Sequence, residues 1–132
     1  MLKIILCTFL ITFLARFTNS YGRSPAVLYT MDDLVALDDL KGSGEILRHV
    51  FDIRPSERNE QWRALLSRNV RLFIDNIISG KKYTGTDYRL IEKITDSKYL
   101  NSDEIFLIKR SEYLKNYFEF CFQSPKNDKF NC

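Results

Sequence analysis

The stretch that decides the fold runs from residue 56 to residue 80 and reads SERNEQWRALLSRNVRLFIDNIISG. Its apolar residues recur at intervals of three and four, which is the spacing of one helix face. These residues are Trp62, Leu66, Val70, Phe73, Ile74 and Ile77. Ser56 is predicted to cap the start of this helix and Gly80 to end it. Leu65 and Leu72 form a second apolar flank, so we expect the helix to lie at the centre of the fold.

Two shorter helices are predicted before this segment. Thr30 is followed by two aspartates, a pattern that favours the start of a helix, and Gly42 is the predicted stop. Ser43 is the predicted cap of a second helix over residues 44–51. Pro55 then turns the chain, because the residue before a proline is disfavoured in the helical conformation.

Two more helices are predicted after the central one. One covers residues 87–95, and the other begins at Ser102, its predicted cap, and runs to about Phe122. Residues 105–108 form an apolar run that a strand would also explain, but no partner strand is recognisable elsewhere. The sequence therefore predicts an all-α fold of about five helices.

Residues 1–20 have the layout of a cleaved signal peptide. Lys3 gives a positive start, residues 4–14 are apolar apart from two threonines, and small or polar residues precede the expected cleavage after Ser20. Cleavage after Gly22 is the second choice. The apolar run is too short to span a bilayer, which takes roughly twenty residues, and an uncleaved anchor is the alternative. We therefore expect export to the periplasm or the extracellular space.

Residues 21–132 are predicted to form a single helical domain, because about 112 of the 132 residues suffice for one core and not for two. Removing Lys3 and Arg16 from the 20 basic residues leaves 18, against 17 acidic ones. This balance argues against a nucleic-acid binder, which carries a strongly basic surface. We expect membrane contact only through the signal segment before its cleavage.

Two cysteines remain after cleavage, Cys121 and Cys132. Thiols tend to pair in an oxidising compartment, so an intramolecular disulfide that folds the tail back is predicted. The enclosed residues include Ser124, Pro125 and Asn127, which favour a turn. Free thiols, or a bridge between two chains through Cys132, are the alternatives.

Catalytic and cofactor motifs are missing from the sequence. With one histidine and, after cleavage, two distant cysteines, no zinc-site spacing can be recognised, and no nucleotide-binding glycine loop or hydrolase elbow occurs. The most specific catalytic hypothesis takes His49 as the general base, Asp52 as the carboxylate that orients it and Ser56 as the nucleophile. Ser56 follows a proline, and its hydroxyl is expected to cap a helix and not to act as a nucleophile. We therefore favour a structural pairing of His49 with Glu45. No cofactor and no metal are predicted.

The least generic segment runs from Asp52 to Trp62 and reads DIRPSERNEQW. It resembles a pattern, Asp-x-Arg-Pro-Ser-x-Arg-x-x-x-Trp, in uncharacterised exported proteins of predatory and related Gram-negative bacteria. The resemblance implies export and longer relatives, of which this chain would be a shortened or N-terminal version, and it implies no activity. From the residues themselves we expect the chain to form a corner at Pro55 and Ser56, which Trp62 anchors in the core. We expect Asp52 to form a charged clasp, that is a set of ion pairs, with Arg54 and Arg58.

The last predicted helix ends with several aromatic residues close together in the sequence, and they lie on more than one face of the helix. Such a group indicates either core or a surface for a partner. The candidate partner-binding residues, at the corner and on this helix, are Arg54, Arg58, Trp62, Tyr117, Phe118 and Phe120. We expect an exported binding or scaffolding protein with an envelope or extracellular partner. The alternatives are a small cell-envelope enzyme acting on wall polymer, and a secreted effector or inhibitor.

Overall fold

The computed structural model describes residues 28–123, and within them it contains five α-helices and no strand. We number them α1 (Met31–Lys41), α2 (Ser43–His49), α3 (Glu60–Gly80), α4 (Gly85–Asp96) and α5 (Glu104–Gln123). The predicted all-α class is confirmed, as is the number of helices. The signal segment, both cleavage positions and Cys132 lie outside the described residues.

The two ends of α1 form as the sequence predicts. The Thr30 hydroxyl accepts a hydrogen bond from the Asp33 backbone N–H at 3.2 Å, and the Asp33 carboxylate accepts one from the Thr30 N–H at 2.8 Å. These Thr30 hydrogen bonds hold the pKa of the Asp33 carboxyl below its usual range. Gly42 ends α1 with a φ of 79°, a left-handed value that glycine adopts without strain. The same glycine precedes α2, so Ser43 is the first helical residue and not the predicted cap.

The start of α3 differs from the prediction. Pro55–Glu57 form one turn of 3-10 helix, which places Ser56 inside that turn and not at the beginning of α3. Asn59 is the actual cap, because its side-chain oxygen accepts the Trp62 backbone N–H at 3.0 Å. The proline turn thus moves the start of the long helix three residues along the chain.

The starts of α4 and α5 also shift by a short distance. Thr84 caps α4 by accepting the Asp87 backbone N–H at 3.1 Å, so this helix begins two residues before the predicted start. At α5 the Asp103 carboxylate accepts the Phe106 N–H at 3.0 Å, in place of the predicted Ser102. The Asp103 carboxylate also interacts favourably with the positive end of the helix dipole.

The core is built around α3, as the sequence predicts. This helix packs against α2 and α5, while α1 packs against α2. It contributes six buried apolar side chains: Trp62, Leu65, Leu66, Val70, Ile74 and Ile77. Leu72, predicted to extend the second apolar flank, is about half exposed, so that flank is only partly covered.

Candidate functional site

The corner between α2 and α3 is organised by Arg58. One terminal nitrogen of its guanidinium donates to the backbone carbonyls of Phe51, at 2.9 Å, and Ile53, at 3.3 Å. The other donates to the Tyr99 hydroxyl at 3.2 Å. Arg58 therefore joins the loop before α3 to the loop before α5.

Three aromatic rings surround the same guanidinium. Its central carbon lies 5.6 Å from the ring centroid of Phe51, 5.7 Å from that of Trp62 and 5.8 Å from that of Tyr99. A cation within about 6 Å of an aromatic face is attracted by the ring quadrupole. The corner is thus an aromatic cage that the chain fills with its own cation.

The charged clasp predicted between Asp52, Arg54 and Arg58 does not form. Arg58 binds carbonyl groups and rings, and Asp52 contacts His49 instead, because the bend after α2 brings these two side chains together. Arg54 is exposed in an extended conformation, with φ −58° and ψ 138°, as expected for a residue before proline. Of the two arginines, only Arg54 remains available to a partner.

Trp62 is the apolar anchor of the corner. Its side chain is 0% exposed, and its indole N–H donates to the Val50 carbonyl at 2.8 Å. Its ring meets Tyr99 edge-on, with the centroids 4.7 Å apart. The predicted structural role is confirmed, and this burial removes Trp62 from the candidate partner surface.

His49 lies between two carboxylates. Its Nδ1 is 3.0 Å from the Asp52 carboxylate, its Nε2 is 3.5 Å from that of Glu45, and its ring stacks on Tyr29 at 4.7 Å between centroids. The pairing with Glu45 agrees with the structural interpretation of the sequence. Ser56 is exposed in the 3-10 turn and takes no part in these contacts, so His49, Asp52 and Ser56 do not form a catalytic triad.

Polar contacts fix α5 against its neighbours. The Asp103 carboxylate accepts the Ser67 hydroxyl of α3, Lys109 pairs with Asp75 of α3, and Arg110 pairs with a carboxylate of α4. Burial opposes ionisation of Asp103, yet the Ser67 hydroxyl and the backbone N–H groups at the helix start hold the pKa of its carboxyl below the usual range. One side of α5 is therefore fully engaged with the fold.

The aromatic group of α4 and α5 divides between core and surface. Tyr117 is buried and stacks on Tyr88, with 4.9 Å between centroids, and Phe120 is half-buried against Tyr83 at 5.6 Å. Of the candidate partner residues on this helix, Phe118 alone is well exposed, at 47%. Burial places Tyr117 in the core and leaves Phe120 only partly accessible.

The tyrosine Tyr113 sits in the middle of this group with an unusual hydroxyl. The ring is fully buried, and its hydroxyl oxygen has no hydrogen-bond partner in the part of the chain that the structure describes. Burial, followed by the nearby negative charge of Asp87, raises the pKa of Tyr113 well above its usual value. The hydroxyl therefore stays protonated throughout the physiological pH range.

One face of α5 carries an apolar strip that is largely exposed, with Leu114 half-buried against the core at its margin. At 100° per residue, five side chains fall within about 120° of the helix circumference. We call them the outer stripe: Leu107, Ile108, Leu114, Phe118 and Phe122. Ile108 is 68% exposed and Phe122 is 88% exposed. Leu114 and Phe122 belong to the carboxyl-terminal group that the sequence offers as core or partner surface, but of the five residues only Phe118 is among the candidate partner-binding residues predicted from it.

Two surface grooves of similar size lie on the described part of the chain. One of about 360 Å³ lies between α1 and α3, and it is lined by Asp38, Asp39 and Arg68 among others. Asp38 is held by Arg68, so the groove offers no matched pair of acid and base. The second, of about 370 Å³, lies beside Tyr83 and Phe120. No group of three or more His, Cys, Asp or Glu residues within 28–123 could hold a metal ion.

Cys121 lies half-buried on the last turn of α5. Its predicted bridge to Cys132 stays a prediction, because Cys132 lies outside the described residues. No helix within residues 28–123 has the length and the apolar content that crossing a membrane requires.

Comparisons of this chain with protein-family models, with curated proteins and with solved structures gave no significant match.

Proposed function

We propose that the protein is an exported binding or scaffolding domain, which docks a helix of a partner protein on the outer stripe of α5. The observation that carries this proposal is the exposure of four apolar side chains on one face of one helix: Leu107, Ile108, Phe118 and Phe122. Contiguous exposed apolar surface marks interaction sites more often than it decorates a monomer.

The spacing of the stripe supports a helical partner. Leu107, Ser111, Leu114 and Phe118 follow one another at intervals of four, three and four residues. This repeat of three and a half residues is the seam of helices that pack side by side. A partner helix with its own apolar face would cover the stripe over about three turns.

The rigidity of the opposite side of α5 also supports a binding role. Asp75 of α3 and Glu92 of α4 each hold a basic side chain of α5, so the helix presents its outer stripe on a fixed support. A preformed surface binds with less loss of conformational entropy than a flexible one.

Export is part of the proposal and rests on residues 1–20. A positive start, an apolar run and small or polar residues near Ser20 are the pattern of a signal peptide. Mass spectrometry of protein from the producing cells should find Tyr21, or Arg23, at the amino terminus outside the cytoplasm. An intact Met1 in a soluble cytoplasmic fraction would overturn this part.

Site-specific photo-crosslinking in the producing cells tests the docking surface. A diazirine lysine analogue at Lys115, within the face that carries the stripe, should give one discrete protein adduct. The same analogue at Lys82, exposed in the loop before α4, is the matched control and should give none. The Lys115 adduct should disappear with Phe118→Glu. Equal adducts at both positions, or none at Lys115, would contradict the proposal.

A further inference from the structure

We infer that the groove beside Tyr83 and Phe120 binds a neutral oligosaccharide. The groove has a volume of about 370 Å³ and lies between the loop after α3 and the last turns of α5. At 100° per residue, its side of α5 is centred about 130° from the centre of the outer stripe. The inference therefore adds a second binding surface, and it does not depend on the docking of a partner helix.

The first argument is that the fold does not use the four amide or charged side chains that line this groove. None of them forms a hydrogen bond or an ion pair within residues 28–123. They are Lys81, Asn116, Glu119 and Gln123. In the groove between α1 and α3, by contrast, Arg68 holds Asp38. In a smaller groove at the start of α5, the Ser67 hydroxyl donates to Asp103. The groove beside Tyr83 thus keeps its donors and acceptors for a ligand.

The second argument is the aromatic wall of the groove. The rings of Tyr83 and Phe120 line it, with their centroids 5.6 Å apart and their planes inclined by 42°. Both residues are half-buried, so the fold holds each ring in place and leaves it partly accessible. An aromatic face is electron-rich, and it attracts the C–H groups on the face of a sugar ring. Aromatic rings beside amide and carboxylate groups therefore match a sugar, which has an apolar face and a rim of hydroxyl groups.

The third argument is the balance of charge. Lys81 and Glu119 give the groove one positive and one negative group, so it favours a ligand without net charge. Sugar hydroxyls both donate and accept hydrogen bonds, and they can pair with both of these groups and with the two amides. Burial, followed by the charges of Glu112 and Glu119, raises the pKa of Tyr83, so its hydroxyl also keeps its proton.

The shape of the groove sets the length of the ligand and the affinity. The groove is shallow and open, so it contacts one face of a sugar chain and lets that chain continue beyond it. One-sided contact buries less of a ligand than an enclosed pocket does. We therefore expect a dissociation constant on the order of 0.1–1 mM.

Nuclear magnetic resonance titration of the exported mature protein tests the inference. Cellohexaose and chitohexaose are the neutral probes, and hexagalacturonate is an anionic probe of the same length. At least one neutral probe should shift the backbone amide signals of residues 78–83 and 116–123, with saturation below about 10 mM. Hexagalacturonate should bind more weakly, by about fivefold or more, because its carboxylates meet Glu119. No saturable shift with either neutral probe, or equal or tighter binding of hexagalacturonate, would overturn the inference.

Asn116→Ala and Asn76→Ala are a matched pair of variants. Asn116 lines the groove, whereas Asn76 is exposed on α3 and does not line it. Loss of the Asn116 amide should weaken the binding of the neutral probe by about threefold to tenfold, since its hydrogen bonds to the sugar are lost. Asn76→Ala should leave the dissociation constant unchanged. Equal dissociation constants for the two variants would contradict the proposed site.

Two substitutions of Phe120 test the stacking contact. Leucine is apolar but has no flat face, so Phe120→Leu should weaken the binding of the neutral probe by about tenfold or more. Phe120→Tyr keeps the aromatic ring and should bind within about twofold of the wild type. The amide spectrum of each variant without sugar checks that it remains folded. Equal effects of the two substitutions would overturn the inference.

The outcomes separate this inference from the docking proposal. Saturable sugar binding without a Lys115 adduct in cells would leave the groove site standing and remove the partner helix. A Lys115 adduct without sugar binding would do the reverse. Occupation of the groove by residues 124–132 of the same chain would block the neutral probes, and it would also overturn the inference.

Discussion

The corner around Arg58 and the carboxyl-terminal helix α5 use aromatic side chains in opposite ways. At the corner, the rings of Phe51, Trp62 and Tyr99 converge on one guanidinium, and each is placed by that shared contact. On α5 the aromatic residues spread around the helix, so that Tyr117 is buried and Phe118 is exposed.

The two regions are therefore suited to different roles. The corner binds its own cation, and its carbonyl and ring contacts are already used, so it has a structural role. The outer stripe of α5 has no covering helix in the described part of the chain, and its apolar surface is available to a partner. Stability should therefore respond strongly to changes at the corner, and association to changes on the stripe.

The largest expected effect on stability is at Trp62. Trp62→Ala should lower the free energy of unfolding by about 3–5 kcal/mol, because it leaves a large cavity and an unpaired Val50 carbonyl. Urea denaturation followed by circular dichroism measures this loss. Phe118→Ala, an aromatic truncation on the exposed stripe, should cost about 1 kcal/mol or less. Equal losses at both positions would remove the contrast between the two regions.

A smaller effect is expected at Arg58. Arg58→Lys keeps the charge but cannot reach two carbonyls and a hydroxyl at once, so it should cost about 1–3 kcal/mol. Arg54→Lys is the control within the same corner. Arg54 is exposed, so this change should stay within about 0.5 kcal/mol. If the two substitutions cost the same, the cage does not hold the corner together.

The smallest effect concerns the buried end of α5 and depends on pH. Burial raises the pKa of Tyr83, Tyr113 and Tyr117 in the folded protein, whereas unfolded tyrosine ionises near pH 10. The unfolded chain therefore loses protons first, and the free energy of unfolding should fall as the pH rises above about 10.

Tyr113→Phe removes one of these ionisations and also the unpartnered hydroxyl. At neutral pH it should be neutral or stabilising by up to about 1 kcal/mol, since no hydrogen bond is lost. Above pH 10 the free energy of unfolding of this variant should fall less steeply than that of the wild type. A clear loss of stability at neutral pH would mean that the hydroxyl has a partner.

The helices themselves were predictable from the sequence, because each depends on local periodicity and on stop signals such as Gly42 and Gly80. The residues that cap the helices were harder to predict from the sequence. Ser56 and Asn59 are both good capping residues, and the choice between them depended on how many residues the turn after Pro55 would use. That number is set by the packing of the corner and not by the local pattern.

The candidate site was only partly predictable for a similar reason. The hydroxyl that completes the Arg58 cage belongs to Tyr99, which lies 41 residues away, and no local spacing connects the two. The outer stripe was visible as a repeat, but whether another helix of the chain covers it is a property of the assembled fold. Burial, which separates Tyr117 from Phe118, required the structure.

The contacts of Arg58 also set an order of assembly. Phe51, Ile53 and Trp62 all lie within seven residues of it, so the corner closes with short loops and a small entropic cost. Only the bond to Tyr99 spans a long loop. We expect the corner to be the folding nucleus, since local contacts form fastest, and the docking of α5 to be the later step that completes the native state.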